Sequence, residues 1–400
     1  MKNKKFIAII LVVILLTSIS TLTLANFLEI PLGSTIIVSK NKYYELKSIE
    51  KKYSKIDKLS KNIKEEFYKE ISSKKLNDGL LHGLFKGLDD PYSVYMSKEE
   101  YKDFNEMNSG SYGGIGVIVS PGDDNLINVV SPIANTPGDE AGLKSGDKIL
   151  EANDTKVYAD KMDKAIDIMK GKPDTKVKLK IKRDNETFDV NIIREKIVLK
   201  SVKSEIVGQN LGYLRINMFD QKVSDEFNKN LNKLLDKDVS GLVIDLRNNP
   251  GGSLREVIEI ADRLLGKSLI VYTKDRKGNK REFESDSKKI DLPITVLVNE
   301  GSASASEILT GAIKDLSAGT IIGNKTFGKG IVQSVIEVGD GTAYKLTTSQ
   351  YFTPNGNYIH DKGIKPDIKV DLPKDVYFSE NLDISKDTQL KKAIEILNNK

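Results

Sequence analysis

The chain has 400 residues, 30% charged and 39% hydrophobic, which fits a globular protein of two or three domains, each able to bury a core. Its net charge of +5 is small against 62 basic and 57 acidic residues, and the lysines are spread out rather than clustered with aromatics, which argues against a nucleic-acid partner. There is no cysteine and there are only two histidines, His82 and His360. Disulfides, thiol catalysis and Cys-based or His-rich metal sites are therefore excluded, a Ser-His-Asp triad is disfavoured, and no metal or cofactor is expected.

Lys2, Lys4 and Lys5 precede an apolar run from Phe6 to Leu16, and weaker apolar sequence continues to Leu28. This reads as an export signal or signal-anchor over 1–28, about long enough to span a bilayer. Thr23 and Ala25 flank a leucine, a poor cleavage site. The lysines lie before the span, so the remainder is expected outside the membrane, single-pass, or secreted if the signal is cleaved. Residues 40–108 are rich in Lys and Glu. Leu59, Ile63, Phe67 and Ile71 recur every four residues, which predicts an amphipathic helix. A second helix, a turn at Asp90-Pro91 and a third helix capped by Ser97 with Glu100 complete a helical region that packs or forms a homodimer. His82 falls on its apolar face, where a packing role is expected.

From Tyr112 the pattern changes. Residues 109–197 read as strands, a short helix after Pro137, a turn at Gly146-Asp147, a helix with Met162, Ala165, Ile166 and Met169 on one face, and a hairpin turning at Asp184-Asn185. This order resembles a PDZ domain of the circularly permuted bacterial type. Gly113, Gly114, Ile115 and Gly116 stand at its carboxylate-binding loop, where consecutive backbone N–H groups form a nest for a C-terminal carboxylate. A dinucleotide fingerprint fails here, because Val119 occupies the third glycine position.

Residues 198–370 alternate apolar strands and helices, which predicts a mostly parallel sheet covered by helices. Functional turns then belong at the carboxyl ends of strands, where Asn249-Pro250-Gly251-Gly252 and Gly301–Ser306 fall. Residues 371–400 end in a short helix, 388–397, a packing or oligomer arm. The fold expected is multidomain α/β, with a core on a mostly parallel sheet, an inserted PDZ domain and an N-terminal helical region.

Ser304 follows the strand 294–298 and heads a helix among small residues. Unpaired N–H groups and the positive dipole end there would stabilise an oxyanion. Ala305 N–H is one expected donor, and Gly251 or Gly252 the second. A serine needs a base, and Lys329 in Phe327-Gly328-Lys329-Gly330 is the best candidate, since burial lowers a lysine's pKa. Gln333 is placed to orient the amine. Gly323 to Lys329 also reads as seven positions of a phosphate-binding loop, but the eighth is Gly330 and a strand follows, so nucleotide binding is rejected.

Together, SASASEI, DLRNNPGG upstream, TFGKGIVQ downstream, YFTPNGNYIHDKGIKPD and LDDPYSVYM at 88–96 closely resemble the C-terminal processing peptidases, or tail-specific proteases, from residue 88 to about Val370. The resemblance implies a serine endopeptidase with a Ser-Lys dyad supported by Gln, and a PDZ domain that engages the exposed C-terminal tails of protein substrates and gates the site. Matching positions give Ser304, rather than Ser302 or Ser306, as nucleophile, with Lys329 and Gln333. Asp315 matches an aspartate important in some members and reads as structural support. A non-catalytic PDZ scaffold and an acyl-group enzyme on a similar core are the rival readings; the retained Ser304, Lys329 and Gln333 disfavour the scaffold.

Overall fold

The central sheet runs 202–207, 211–216, 242–245, 294–298, 320–323 and 368–369 in spatial order. Only its first pair is antiparallel. Because successive strand residues face opposite sides, each strand supplies two cores. Leu242, Ile244, Val296 and Ile321 face one side, packed with helices Val223–Leu235, Leu254–Leu264 and Ala305–Asp315. Val243, Leu297 and Ile322 face the other and meet Leu390, Ala393 and Leu397 of helix Thr388–Asn398. Each such buried aliphatic side chain contributes about 1.5–3 kcal/mol relative to exposure. The last helix is thus part of this core.

This computed structural model describes residues 2–25, 30–32, 35–122, 124–133, 135–373 and 384–399. The end of the expected apolar segment, 26–28, and most of the stretch before the last helix lie outside them.

A second sheet, all antiparallel, runs 280–285, 268–275, 343–352 and 331–337, and strand Val94–Met96 also pairs with 343–352. Its strands are not set apart from the main sheet by the sequence pattern. Strand Lys280–Ser285 is mostly exposed and charged, so it shows no apolar run. Between the expected turn at Asp90-Pro91 and the expected helix capped by Ser97, Val94–Met96 adds a short strand. Its Tyr95 and Met96 are buried, while Ser97 and Glu100 form the expected capping box on helix Lys98–Asn108.

The PDZ segment is an antiparallel sheet ordered 186–193, 176–183, 148–152, 127–132 and 117–121, with helix Met162–Met169. Ile127, Ile149, Leu179, Ile181, Ala165 and Met169 form its own core. Strands Ser111–Gly114 and Glu195–Val198 pair where the chain enters and leaves, which makes it an insertion.

By contact density the chain divides into residues 1–84 and 85–400. In the first, helix Lys2–Ala25 contains an 18-residue window, Lys4–Thr21, of mean hydropathy 2.0, long and apolar enough to cross a membrane. Helix Lys40–Glu66 contains Leu59 and Ile63 but stops at Phe67, which caps it in extended conformation, so the expected periodicity to Ile71 overruns the helix. His82 Nδ1 lies 2.8 Å from Asp78 O, within its own helix.

Candidate active site

Strands Leu242–Asp245 and Ile294–Val298 are parallel neighbours, so the turns leaving their carboxyl ends lie side by side. Asn249 joins the turns. Its carbonyl oxygen accepts Ala303 N–H at 3.0 Å and the Ser306 hydroxyl at 2.9 Å. Ser302 donates its hydroxyl to Leu246 O at 2.8 Å. Both of those serines are fully buried. Ser304 between them is half-buried and takes φ 55° and ψ −114°. A left-handed φ is unusual for a residue with a side chain and costs on the order of 1–3 kcal/mol; strained strand-to-helix turns of this kind present nucleophilic serines.

Gly251 abuts that turn. A Cβ there would sit 2.7 Å from Ser304 Cβ and 2.9 Å from Ala305 N. Its own N–H donates to Asn249 Oδ1 at 2.9 Å, so it is occupied in this arrangement. Among the described residues, neither Gly252 N–H nor Ala305 N–H finds an acceptor.

Glu307 ties the serine to the lysine. It is fully buried, on the first turn of helix Ala305–Asp315. Oε2 accepts Ser304 N–H at 3.0 Å and Lys329 N–H at 2.8 Å. Oε1 accepts the Thr326 hydroxyl at 2.6 Å and Gly328 N–H at 2.8 Å. Four donors meet the requirement that a buried carboxylate be fully hydrogen-bonded. Tyr351 adds a second tie, donating its hydroxyl to Ser304 O at 3.1 Å and its N–H to Gly330 O at 3.0 Å. Neither Glu307 nor Tyr351 stands out in the sequence as a site residue. Ser304 and Glu307 stand at capping-box spacing, the one sequence signal for Glu307.

The lysine loop rests on the segment 359–364. Asp361 N–H donates to Gly328 O at 2.9 Å, and Ile364 N–H donates to the Thr326 hydroxyl at 2.7 Å. A Cβ on Gly328 would lie 2.8 Å from Gly363 N, so only glycine permits this approach. Lys329 is half-buried. Burial first, then Lys345 nearby, hold its amine below the ordinary lysine range, against the opposing pull of Asp90 and Glu307. Its Nζ stands 4.5 Å from the centroid of the Tyr92 ring. Among the described residues no hydrogen bond joins it to Ser304 or Gln333. Gln333 Nε2 instead donates to the Thr347 hydroxyl at 3.2 Å. Asp315 lies away from these groups and accepts Asn355 N–H at 2.9 Å.

Behind the 248–252 turn, Arg247 is fully buried. It pairs with Asp245 at 2.6 Å and Asp387 at 2.8 Å, and donates to Gln389 Oε1 at 3.1 Å. Burial alone would raise the Asp245 carboxyl, but Arg247 beside it holds it below the ordinary range. The last helix thereby anchors the residue that leads into the turn.

In the PDZ segment, Gly113 and Gly114 end a strand, and Gly113 O accepts Gly171 N–H at 3.0 Å, just beyond helix Met162–Met169. Ile115 and Gly116 follow, with Gly116 at φ 70° against Thr136. Neither Ile115 N–H nor Gly116 N–H finds an acceptor among the described residues.

A strained serine at a helix head, beside glycine turns and a half-buried lysine, marks a serine peptidase, and the comparisons with known proteins agree. The profile of Peptidase family S41 matches residues 210–370, that of a PDZ domain 113–193, and that of the N-terminal domain of the activating protease CtpB 30–100. A probable CtpA-like serine protease of Staphylococcus epidermidis is 38% identical over 373 residues, 92% of this chain and 74% of that protein. One of Staphylococcus aureus is 37% identical over 94% of this chain and 74% of its own length. The structure of a photosystem II D1 C-terminal processing protease is similar at 27% identity and TM-score 0.51, over 79% of this chain and 87% of that one. A putative S41 protease of Bacteroides fragilis shares the fold at 18% identity and TM-score 0.56, over 80% and 90%. The chain belongs to peptidase family S41, the C-terminal processing proteases.

Proposed function

We propose that this chain is an extracytoplasmic endopeptidase that binds the C-terminal tails of proteins through its PDZ domain and cleaves them with a Ser304–Lys329 dyad through an acyl-enzyme. The observation that carries this reading is the shared Glu307 oxygen, which brings the backbones of both residues to one point. The neutral Lys329 amine takes the Ser304 proton as Oγ attacks the scissile carbonyl. Gly252 N–H and Ala305 N–H receive the oxyanion. The contribution of Gly251 is its missing side chain. Lys329 returns the proton to the leaving amine, and a water activated by the same amine then hydrolyses the ester. Gln333, released from Thr347, orients the amine.

The open N–H groups of Ile115 and Gly116 support carboxylate capture at 113–116. The apolar helix behind N-terminal lysines supports a membrane anchor with the catalytic part outside. Exposed Leu46, Ile49, Tyr53 and Ile63 on helix Lys40–Glu66 support self-association as a homodimer.

The test is cleavage of a disordered reporter peptide by the full-length protein. Ser304→Ala and Lys329→Ala are each expected to abolish cleavage with an unchanged thermal melt. Near wild-type cleavage by either variant would overturn the dyad.

A further inference from the structure

The turn Asp90-Pro91-Tyr92-Ser93 belongs to none of the machinery above, yet it holds both partners of the nucleophile. Tyr92 presents its ring to Lys329 Nζ at 4.5 Å. The turn is fixed by Asp90, whose carboxylate accepts Tyr92 N–H at 3.0 Å and the Ser93 hydroxyl at 2.5 Å. Ser93 Oγ in turn accepts Thr347 N–H at 2.9 Å, and the Thr347 hydroxyl holds Gln333. Strand Val94–Met96 then locks the turn to the edge of strand Ala343–Phe352. Ser93, Tyr95 and Met96 are buried, so the ring stands on a rigid mount.

Resting on the dyad reading, the geometry points to Tyr92 as the positioning residue of the catalytic lysine: its ring seats the Lys329 ammonium, and the amine leaves the ring for Ser304 once it has given its proton to water. An aromatic face attracts an ammonium and has no comparable hold on a neutral amine. The seat is therefore selective for the protonation state that cannot act as base. The charged groups around it are Asp90 on the same turn, Glu307 on the nucleophile helix, Lys345 on strand Ala343–Phe352 and Asp361 on the loop beside Tyr92. Burial first, then Asp361, Asp90 and Glu307, raise the Tyr92 phenol, so the ring stays neutral while the lysine titrates. Deprotonation empties the seat, and the proton next taken by the amine is that of Ser304.

The test is the pH profile of kcat/KM for the full-length protein with Tyr92, Tyr92→Phe and Tyr92→Leu on the disordered reporter. The ring stabilises the ammonium, so removing it lowers the pH at which the amine becomes free. The acid limb of Tyr92→Leu is expected about half a unit to one unit below wild type, while Tyr92→Phe keeps the wild-type limb. Should Tyr92→Leu fail to melt cooperatively, 4-fluoro- and 3,4,5-trifluorophenylalanine at position 92 keep the shape and weaken the ring stepwise. The limb is then expected to fall stepwise from that of Tyr92→Phe. An unmoved or raised limb, or loss of activity at every pH without a shift, would overturn the seat. Lys329→Ala separates the two readings: if it stays active the dyad itself is wrong, and if it is dead while the limbs coincide only the role of Tyr92 is wrong.

Discussion

Ser304 and Lys329 donate their backbone N–H groups to the same oxygen, Oε2 of Glu307, at 3.0 and 2.8 Å. One buried carboxylate thus fixes the turn that carries Ser304 and the loop that carries Lys329 at once. Glu307→Gln turns one acceptor edge into a donor facing donors. It is expected to cost about 2–3 kcal/mol of stability and to lower kcat/KM at least about 100-fold. Urea unfolding and reporter kinetics check this. Wild-type kinetics in a folded variant would show that Glu307 only holds the fold.

Gly251 has φ 99° and no room for a methyl group beside Ser304. Gly251→Ala is expected to displace the nucleophile turn and lower kcat by about 100-fold or more, with little change in KM, because the loss falls on transition-state geometry. Steady-state kinetics with a folded protein decide it.

The Asp245–Arg247–Asp387 cluster gives a pH-dependent prediction. Arg247 holds the folded Asp245 carboxyl below its unfolded value. Its contribution is therefore fully present above the unfolded carboxyl pKa of about 3.9 and is lost as pH falls through the folded value. Asp245→Asn leaves Arg247 short of a buried partner and is expected to cost about 3 kcal/mol at neutral pH. The difference from wild type shrinks with acidification below about pH 4. Urea midpoints across pH 2–7 measure it.

The carboxylate loop predicts a preference for free tails. Amidating the reporter's C-terminus is expected to raise KM about tenfold, and Gly116→Ala, whose Cβ would lie 2.3 Å from Thr136 Oγ1, to erase the difference. Equal rates for acid and amide with the wild-type protein would remove the nest from the account.

Much of this was legible in the sequence. The helix and strands of the PDZ segment and the main parallel strands follow from periodicity and turn residues. With only two histidines, a lysine in a glycine-rich loop draws attention as a base, but the choice of Ser304 over Ser302 and Ser306 rests on the family resemblance. What escaped was carried by contacts between distant segments. Tyr351 and Tyr92 are ordinary strand and turn aromatics until the antiparallel sheet brings them to residues 304 and 329. Gly251 looked like a donor, but its N–H is taken by Asn249, whose side chain sequence spacing does not place. The last helix read as a packing or oligomer arm, and it packs on the sheet; its tie through Asp387 and Gln389 to Arg247 arises only in the folded chain.

The most direct test of the central claim is the site of attack by a serine-directed fluorophosphonate, read by intact mass and peptide mapping of the full-length protein. The account predicts a single adduct on Ser304, reduced at least about 100-fold in rate in Lys329→Ala. An adduct on Ser302 or Ser306, or undiminished labelling in Lys329→Ala, would contradict it.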